Sequence, residues 1–413
     1  MLVMAMVPFI IATVIGLLAL WPRGQAVDLQ GSGFNTKEFN ALVTDTSLKE
    51  CPDAPGLEGF ICWRVTVLLA EGPDKGDTFT FDYSTGPRTR SIREGDDVIV
   101  ATTDRSQVEV APGLPQPPKY FFVDFDRGAP LLTLGIVFSV VVVALSRWRG
   151  LAALGGLVIS LLVLVKFVLP AILAGSEPLL IAIVGAATIM LLGLYLAHGL
   201  NSTTTTAVLG TLASLVLTGV LAAVFVELSS FTGAGSEEAT LLQINQQQVN
   251  LQGLLLASII IGTLGVLDDV TVTQASAVWE LRKANPDFGI RNLYQAGLRI
   301  GRDHIASTVN TLVLAYAGAS LPLLILFSVS NRSLGQVINS QTVAEEVVRT
   351  LVGSIGLVAS VPITTGLAAL VVAGAGSNKE QRGRIRVMRK EGEDQYQPPS
   401  AERYFWGDER GRQ

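Results

Sequence analysis

The chain alternates between long runs in which apolar residues are barely interrupted and one polar stretch of about a hundred residues near its start. Eight runs qualify as membrane spans, near 2–20, 129–146, 151–173, 179–197, 205–227, 251–268, 305–329 and 349–374. A bilayer core of about 30 Å needs roughly 20 apolar residues in helical form. Lipid offers backbone N–H and C=O groups no partner, so each run must be helical or belong to a closed barrel; runs this long without alternation exclude the barrel. The predicted fold is an α-helical membrane bundle of about eight transmembrane helices with a small extracytoplasmic β-barrel or sandwich.

The segment 24–123 carries the β prediction. Cys62–Leu68, Thr78–Tyr83 and Asp97–Ala101 alternate with period two, and Gly72-Pro73-Asp74-Lys75-Gly76 supplies turn chemistry for a hairpin between the first two. About five strands would close such a domain. Pro112 to Pro118 reads as a stiff connector. The implied division is an anchor over 1–23, the β-domain over 24–123, helices two to six over 124–270, a cytoplasmic amphipathic segment over 271–303, helices seven and eight over 304–375, and a disordered tail over 376–413. A cleaved signal peptide competes with the anchor, but the first run is long for one and lacks a charged leader.

Composition narrows the class. Hydrophobic residues make up 49% and charged residues 16% of 413, against about 25% charged in soluble domains, which argues against a cytosolic enzyme. The net charge of −5 gives no footprint for nucleic acid. Lys and Arg gather after the second, sixth and eighth runs, while 175–178 and 228–250 have none. The positive-inside rule then places both termini in the cytoplasm and the β-domain outside. Both cysteines, Cys51 and Cys62, fall in the β-domain, which predicts a disulfide worth about 3 kcal/mol; two free thiols in a reducing compartment are the competing reading.

Ionisable groups within spans are costly and therefore candidates for function. The end of the sixth run, Gly262 to Thr273, offers Asp268, Asp269 and Thr271 as hard oxygen ligands for a cation, with glycines that could break the helix. A plainer reading makes Thr271 and Gln274 a capping box that starts an interfacial helix from about 272. The seventh run opens on Asp303 and His304, and helical spacing lines up Asp303, Ser307 and Asn310 beside His304, Thr308 and Thr311. Such a face should point into the bundle or a watered cavity, where it would meet the Asp268 cluster. His198 to Thr206 reads as an anion site or a helix cap. Lys166 can snorkel, Pro322 and Pro362 should kink their helices, and Gly155-Gly156, Gly185 and Gly353 with Gly356 suit tight helix contacts or oligomer seams. No Walker A, G-x-S-x-G, H-E-x-x-H or dinucleotide fingerprint occurs, so neither an enzyme nor a cofactor is predicted.

Phe121 to Arg127, Gly265 to Ala275, and Gly301 to Thr311 followed by Ala315-Tyr316-Ala317-Gly318 resemble the YibE/F family of bacterial multi-pass membrane proteins. The resemblance spans roughly 120–375. It implies a bacterial plasma-membrane location, a shared helix bundle and a transport or envelope role, and it carries no catalytic residue list. The leading expectation is a transporter or permeation protein for a cation or small solute, built on Asp268, Asp269, Thr271, Asp303, His304, Ser307 and Asn310. The alternative is a homo-oligomeric envelope scaffold, receptor or sensor. Expected partners are membrane lipids, further copies of the chain and an extracellular molecule on the β-domain.

Overall fold

The computed structural model describes residues 2–22, 37–51, 59–86, 89–102, 118–245, 249–330 and 332–395. The chain divides into two compact units, one of residues 25–151 and one of 1–24 with 152–413.

The first unit is built on five antiparallel strands, β1 (Glu38–Lys49), β2 (Ile61–Leu69), β3 (Thr78–Thr85), β4 (Asp97–Thr102) and β5 (Tyr120–Phe125), in the order β3-β2-β1-β4-β5. Period-two alternation turns Val43, Val65, Val67, Leu69, Val98 and Val100 to one face, where they are almost wholly buried. A register shift between Val43 and Asp45 coils β1. The sheet curls until its outer strands approach, and rings complete the seam: Phe79 lies 5.2 Å from Tyr120, and Phe81 lies 5.5 Å from Phe122. No ladder of backbone hydrogen bonds joins β3 to β5, so this is a half-barrel. The expected β2–β3 hairpin is present. At its turn Gly72 has φ +96° and sits on the Phe39 ring, where an added Cβ would lie 2.7 Å from Cδ1. Cys51 and Cys62 form the expected disulfide, Cα atoms 5.2 Å apart. The Pro112–Pro118 connector lies almost wholly outside the described residues.

The same unit contains the first part of α2 (Gly128–Leu173), a helix interrupted at Arg147, whose backbone takes φ 51°, ψ −129°. Past the break the chain folds back tightly enough that a Cβ at Gly150 would meet the Val142 carbonyl at 2.5 Å. Further on, α2 carries a π-turn, Leu164–Val168, with Lys166 exposed upon it.

The second unit holds α1 (Leu2–Ala19), the remainder of α2, α3 (Pro178–His198), α4 (Ser202–Leu228), α5 (Glu237–Asn245), α6 (Leu251–Ala284), α7 (Ile290–Ala319), α8 (Leu321–Ser328), α9 (Leu334–Ile338) and α10 (Gln341–Gln395). Its core joins Ala186 and Met190 of α3, Val208 and Leu215 of α4, Ile260, Leu264 and Leu267 of α6, and Leu357 and Val361 of α10. Expected small residues hold the close contacts: Gly356 abuts Thr218, and a Cβ at Gly353 would lie 3.2 Å from Thr263 Oγ1.

Among the described residues five helices are long and apolar enough to cross a membrane, or six with the bent pair α7–α8, so eight spans are not shown. The second and third expected spans, near 129–146 and 151–173, meet at Arg147, where the backbone leaves the helical region; taken together as Gly128–Leu173 they count as one of the five. The described side chains of α1, Met6–Ala19, form an apolar helix. The seventh expected span breaks at Ser320, two residues before Pro322, with a bend of 65°. Helix α10 continues unbroken through Pro362 to Gln395, overlapping the expected disordered tail; 396–413 lie outside the described residues.

Candidate functional site

Helix α6 is continuous from Leu251 to Ala284, so the glycines at 262 and 265 do not break it and Thr271 with Gln274 caps nothing. These two side chains are instead buried, on the face of α6 turned toward α4 and α10. The capping reading fails because tertiary contacts satisfy both: Gln274 Nε2 donates to Gly297 O at 2.8 Å and to Thr365 Oγ1 at 2.7 Å, and Thr271 Oγ1 shares a hydrogen bond of 2.6 Å with Thr211 Oγ1. Capping does hold at the α4 start, where Asn201 accepts from Thr204 N at 2.9 Å.

Asp268 lies one turn before Thr271 on the same stripe. Its carboxyl lies beside Thr211 of α4, and carboxylate oxygen Oδ1 is buried with no hydrogen-bond partner among the described residues. Asp269, its neighbour, points outward and is exposed.

A file of buried hydroxyls runs along α4, α6 and α10; Thr206 and Thr263 fall in stretches already singled out from the sequence, and Ser214, Thr218, Ser354 and Ser360 are added by the structure. On α4, Thr206, Ser214 and Thr218 donate to the carbonyls of Ser202, Gly210 and Ser214, each at 2.8 Å. On α6, Thr263 donates to Ile259 O at 2.7 Å. On α10, Ser360 and Thr365 donate to Leu357 O at 2.7 Å and Val361 O at 2.6 Å, while Ser354 Oγ and Thr364 Oγ1 are buried without partners. A hydroxyl that spends its proton on its own helix leaves lone pairs facing the interior, so the seam between α4, α6 and α10 is rich in acceptors. Thr364 rests on Gly210, which lets α4 and α10 approach at the level of Thr211. The signal is present in the sequence, as Ser and Thr recur along runs 205–227 and 349–374.

A further polar group sits at the opposite end of these helices. Arg349 donates from Nη1 to Glu346 Oε1 at 2.5 Å and from Nη2 to Ser258 Oγ at 3.3 Å. Glu345 is buried and accepts from Gln341 at 2.7 Å. The apolar run of the last span begins only at 349, which leaves these acids outside it, whereas α10 begins at Gln341.

The α7 candidates do not join Asp268. Asp303, His304, Ser307 and Asn310 are exposed in the single chain, and no hydrogen bond or ion pair links them to Asp268, Asp269 or Thr271 among the described residues. The reason is amphipathic: Leu298, Ile305 and Val309 turn α7's apolar stripe onto the core, which swings the polar stripe outward.

The model of the family described as YibE/F-like protein matches residues 134–374, more than half of the chain. The chain belongs to the YibE/F family. The matched region starts within α2 and takes in the whole hydroxyl file, while the half-barrel lies before it. No curated protein and no solved structure matches the chain. Family and apolar helices together make this a membrane protein. Among the described residues no cluster of three metal-binding side chains occurs, so the chemistry on offer is one carboxylate among hydroxyls.

Proposed function

We propose that this YibE/F protein is a plasma-membrane transport or permeation protein that moves a proton or a monovalent cation, with Asp268 as the carrying group and Thr211 and Thr271 as neighbouring oxygen donors. The observation behind this reading is the buried Oδ1 without a partner, set against the hydroxyl file of α4, α6 and α10. A lone carboxylate oxygen in an apolar setting is costly unless a proton or cation meets it, and a carboxylate kept for packing alone would be expected to have its partners. One carboxylate with hydroxyl oxygens suits a small monovalent ion better than a divalent metal, which draws on several charged ligands.

Asp268→Asn in proteoliposomes should reduce proton- or cation-dependent flux at least about tenfold, while Asp269→Asn, at an exposed position, leaves it near the native level. Undiminished flux in a folded Asp268→Asn protein removes the assignment. In the same reading the disulfide-bearing half-barrel lies outside the cell, in keeping with an oxidising compartment, and both termini lie within.

The envelope-receptor alternative draws support from one feature. A groove of 680 Å³ opens along the β3–β5 seam, lined by Arg64, Phe81, Asp82, Tyr83, Phe121 and Phe122. Two strand edges without a ladder between them can accept an extended peptide. Flux that survives in a chain lacking the half-barrel, with no binding partner found for that groove, counts against it.

A further inference from the structure

Helix α7 shows a polar face that no described residue covers. Arg302, Asp303, His304, Ser307, Asn310 and Thr311 are exposed. Thr308 and Thr311 donate only to their own helix, to His304 O and Ser307 O at 2.9 Å. Neither Arg302 nor Asp303 has an ion-pair partner among the described residues.

This face runs alongside α6, one of the helices long and apolar enough to cross a membrane. A Cβ at Gly301 would lie 2.9 Å from Gln274 Oε1, and one at Gly353 would touch both Thr263 Oγ1 and Leu312 Cδ2. Antiparallel α6 and α7 therefore align Gln274 with Gly301 and Thr263 with Leu312, which puts Asp268 level with Ser307. Lipid cannot satisfy such a row of hydroxyl, amide and charged groups.

We propose that the polar face of α7 is the seam of a homodimer, covered in the membrane by the same face of a second copy of the chain. The face is self-complementary, as a twofold contact requires. Arg302 and Asp303 are adjacent and opposite in sign, so across a twofold axis each meets its complement on the partner. Ser307 and Asn310 each donate and accept, so the same residue type can pair with itself, and Thr311 keeps lone pairs to accept with. Ala306 lets the helices come close.

The native cysteines are consumed by the Cys51–Cys62 disulfide, so single added cysteines report cleanly. In native membranes treated with a mild oxidant, Asn310→Cys should form a covalent dimer, whereas Val216→Cys, on an exposed apolar face of α4, should not. Arg302→Asp and Asp303→Arg should each lower the dimer fraction in detergent, about tenfold in association constant, and the double exchange should restore it. Asn310→Cys that stays monomeric and reacts with a membrane-impermeant maleimide would overturn the proposal, since water rather than a second copy would then cover the face. So would charge reversals that leave the dimer fraction unmoved. Flux through Asp268 is not read in either experiment, so failure here leaves the transport reading standing.

Discussion

In the half-barrel, charges pair at the rim. Asp82 takes Lys49 at 2.5 Å and Arg64 at 3.5 Å, with all three at least one-third exposed, and Asp74 takes both Lys119 Nζ and Tyr120 OH. In the helical unit the buried groups are hydroxyls that bond back to their own backbone, and Asp268 is left with a free oxygen in their midst. Water lets the sheet carry acids cheaply wherever they fall on its outer face. A helix core in lipid has to satisfy each polar group internally, so an unsatisfied one there implies a ligand more strongly than any number of rim pairs.

The comparison can be broken at its strongest structural point first. Replacing Cys51 and Cys62 by serine should lower the stability of the half-barrel by about 3 kcal/mol and leave the helical unit unchanged; hydrogen exchange resolved by segment would show the loss confined to residues of β1 to β5. Equal loss in both units would mean that they do not fold separately.

Next in size is overpacking of the helix seam. Gly356→Val drives a side chain into Thr218 where α4 and α10 touch, and should cost about 2 kcal/mol. A drop in the thermal unfolding midpoint in detergent checks this, and an unchanged midpoint would show that the seam opens freely.

A pH series sharpens the contrast from the sheet side. The hydrogen bond from Lys119, followed by that from Tyr120, holds the Asp74 carboxyl below the usual carboxylate range. Its contribution is complete above the unfolded value of about 4 and fades as pH falls through the lowered one. Burial, followed by the bond to Asp74, pushes Tyr120 up to about 12. The fold keeps that proton where an unfolded chain releases it, so this contribution is intact below about pH 10 and is lost as pH rises toward about 12. Asp74→Asn should bring the Tyr120 titration, followed by tyrosinate absorbance, back toward the ordinary phenol range; no movement would remove Asp74 as a cause.

Smallest is Lys49→Ala. An exposed pair of this kind is worth about 0.2–1 kcal/mol and should weaken further with salt. A denaturation midpoint that shifts more than that would mean Asp82 is less solvated than its exposure indicates.

Part of this was legible in the chain. Period two in β2 and β3 marked Val65, Val67 and the Gly72–Gly76 turn, because a half-buried sheet writes its faces into alternation. Cys51 with Cys62 read correctly as a pair, and Pro322 as a break. The break between the second and third spans was legible at Arg147, where the apolar run stops, but whether it is a loop or a strained turn did not read from the chain. Nor did the α7 face, because spacing shows that a polar stripe exists but not the direction in which it turns.

Sequence by itself determined that the chain lives in a membrane, which segments are apolar enough to cross, and which family they belong to, since those follow from local composition and order. Only the tertiary structure decided that Asp268 points inward to Thr211 while Asp269 points out, that Thr271 and Gln274 bind neighbours rather than cap a helix, and that Asp303, His304, Ser307 and Asn310 lie apart from them. Helix rotation is set by packing among several helices at once, and no single segment carries that information.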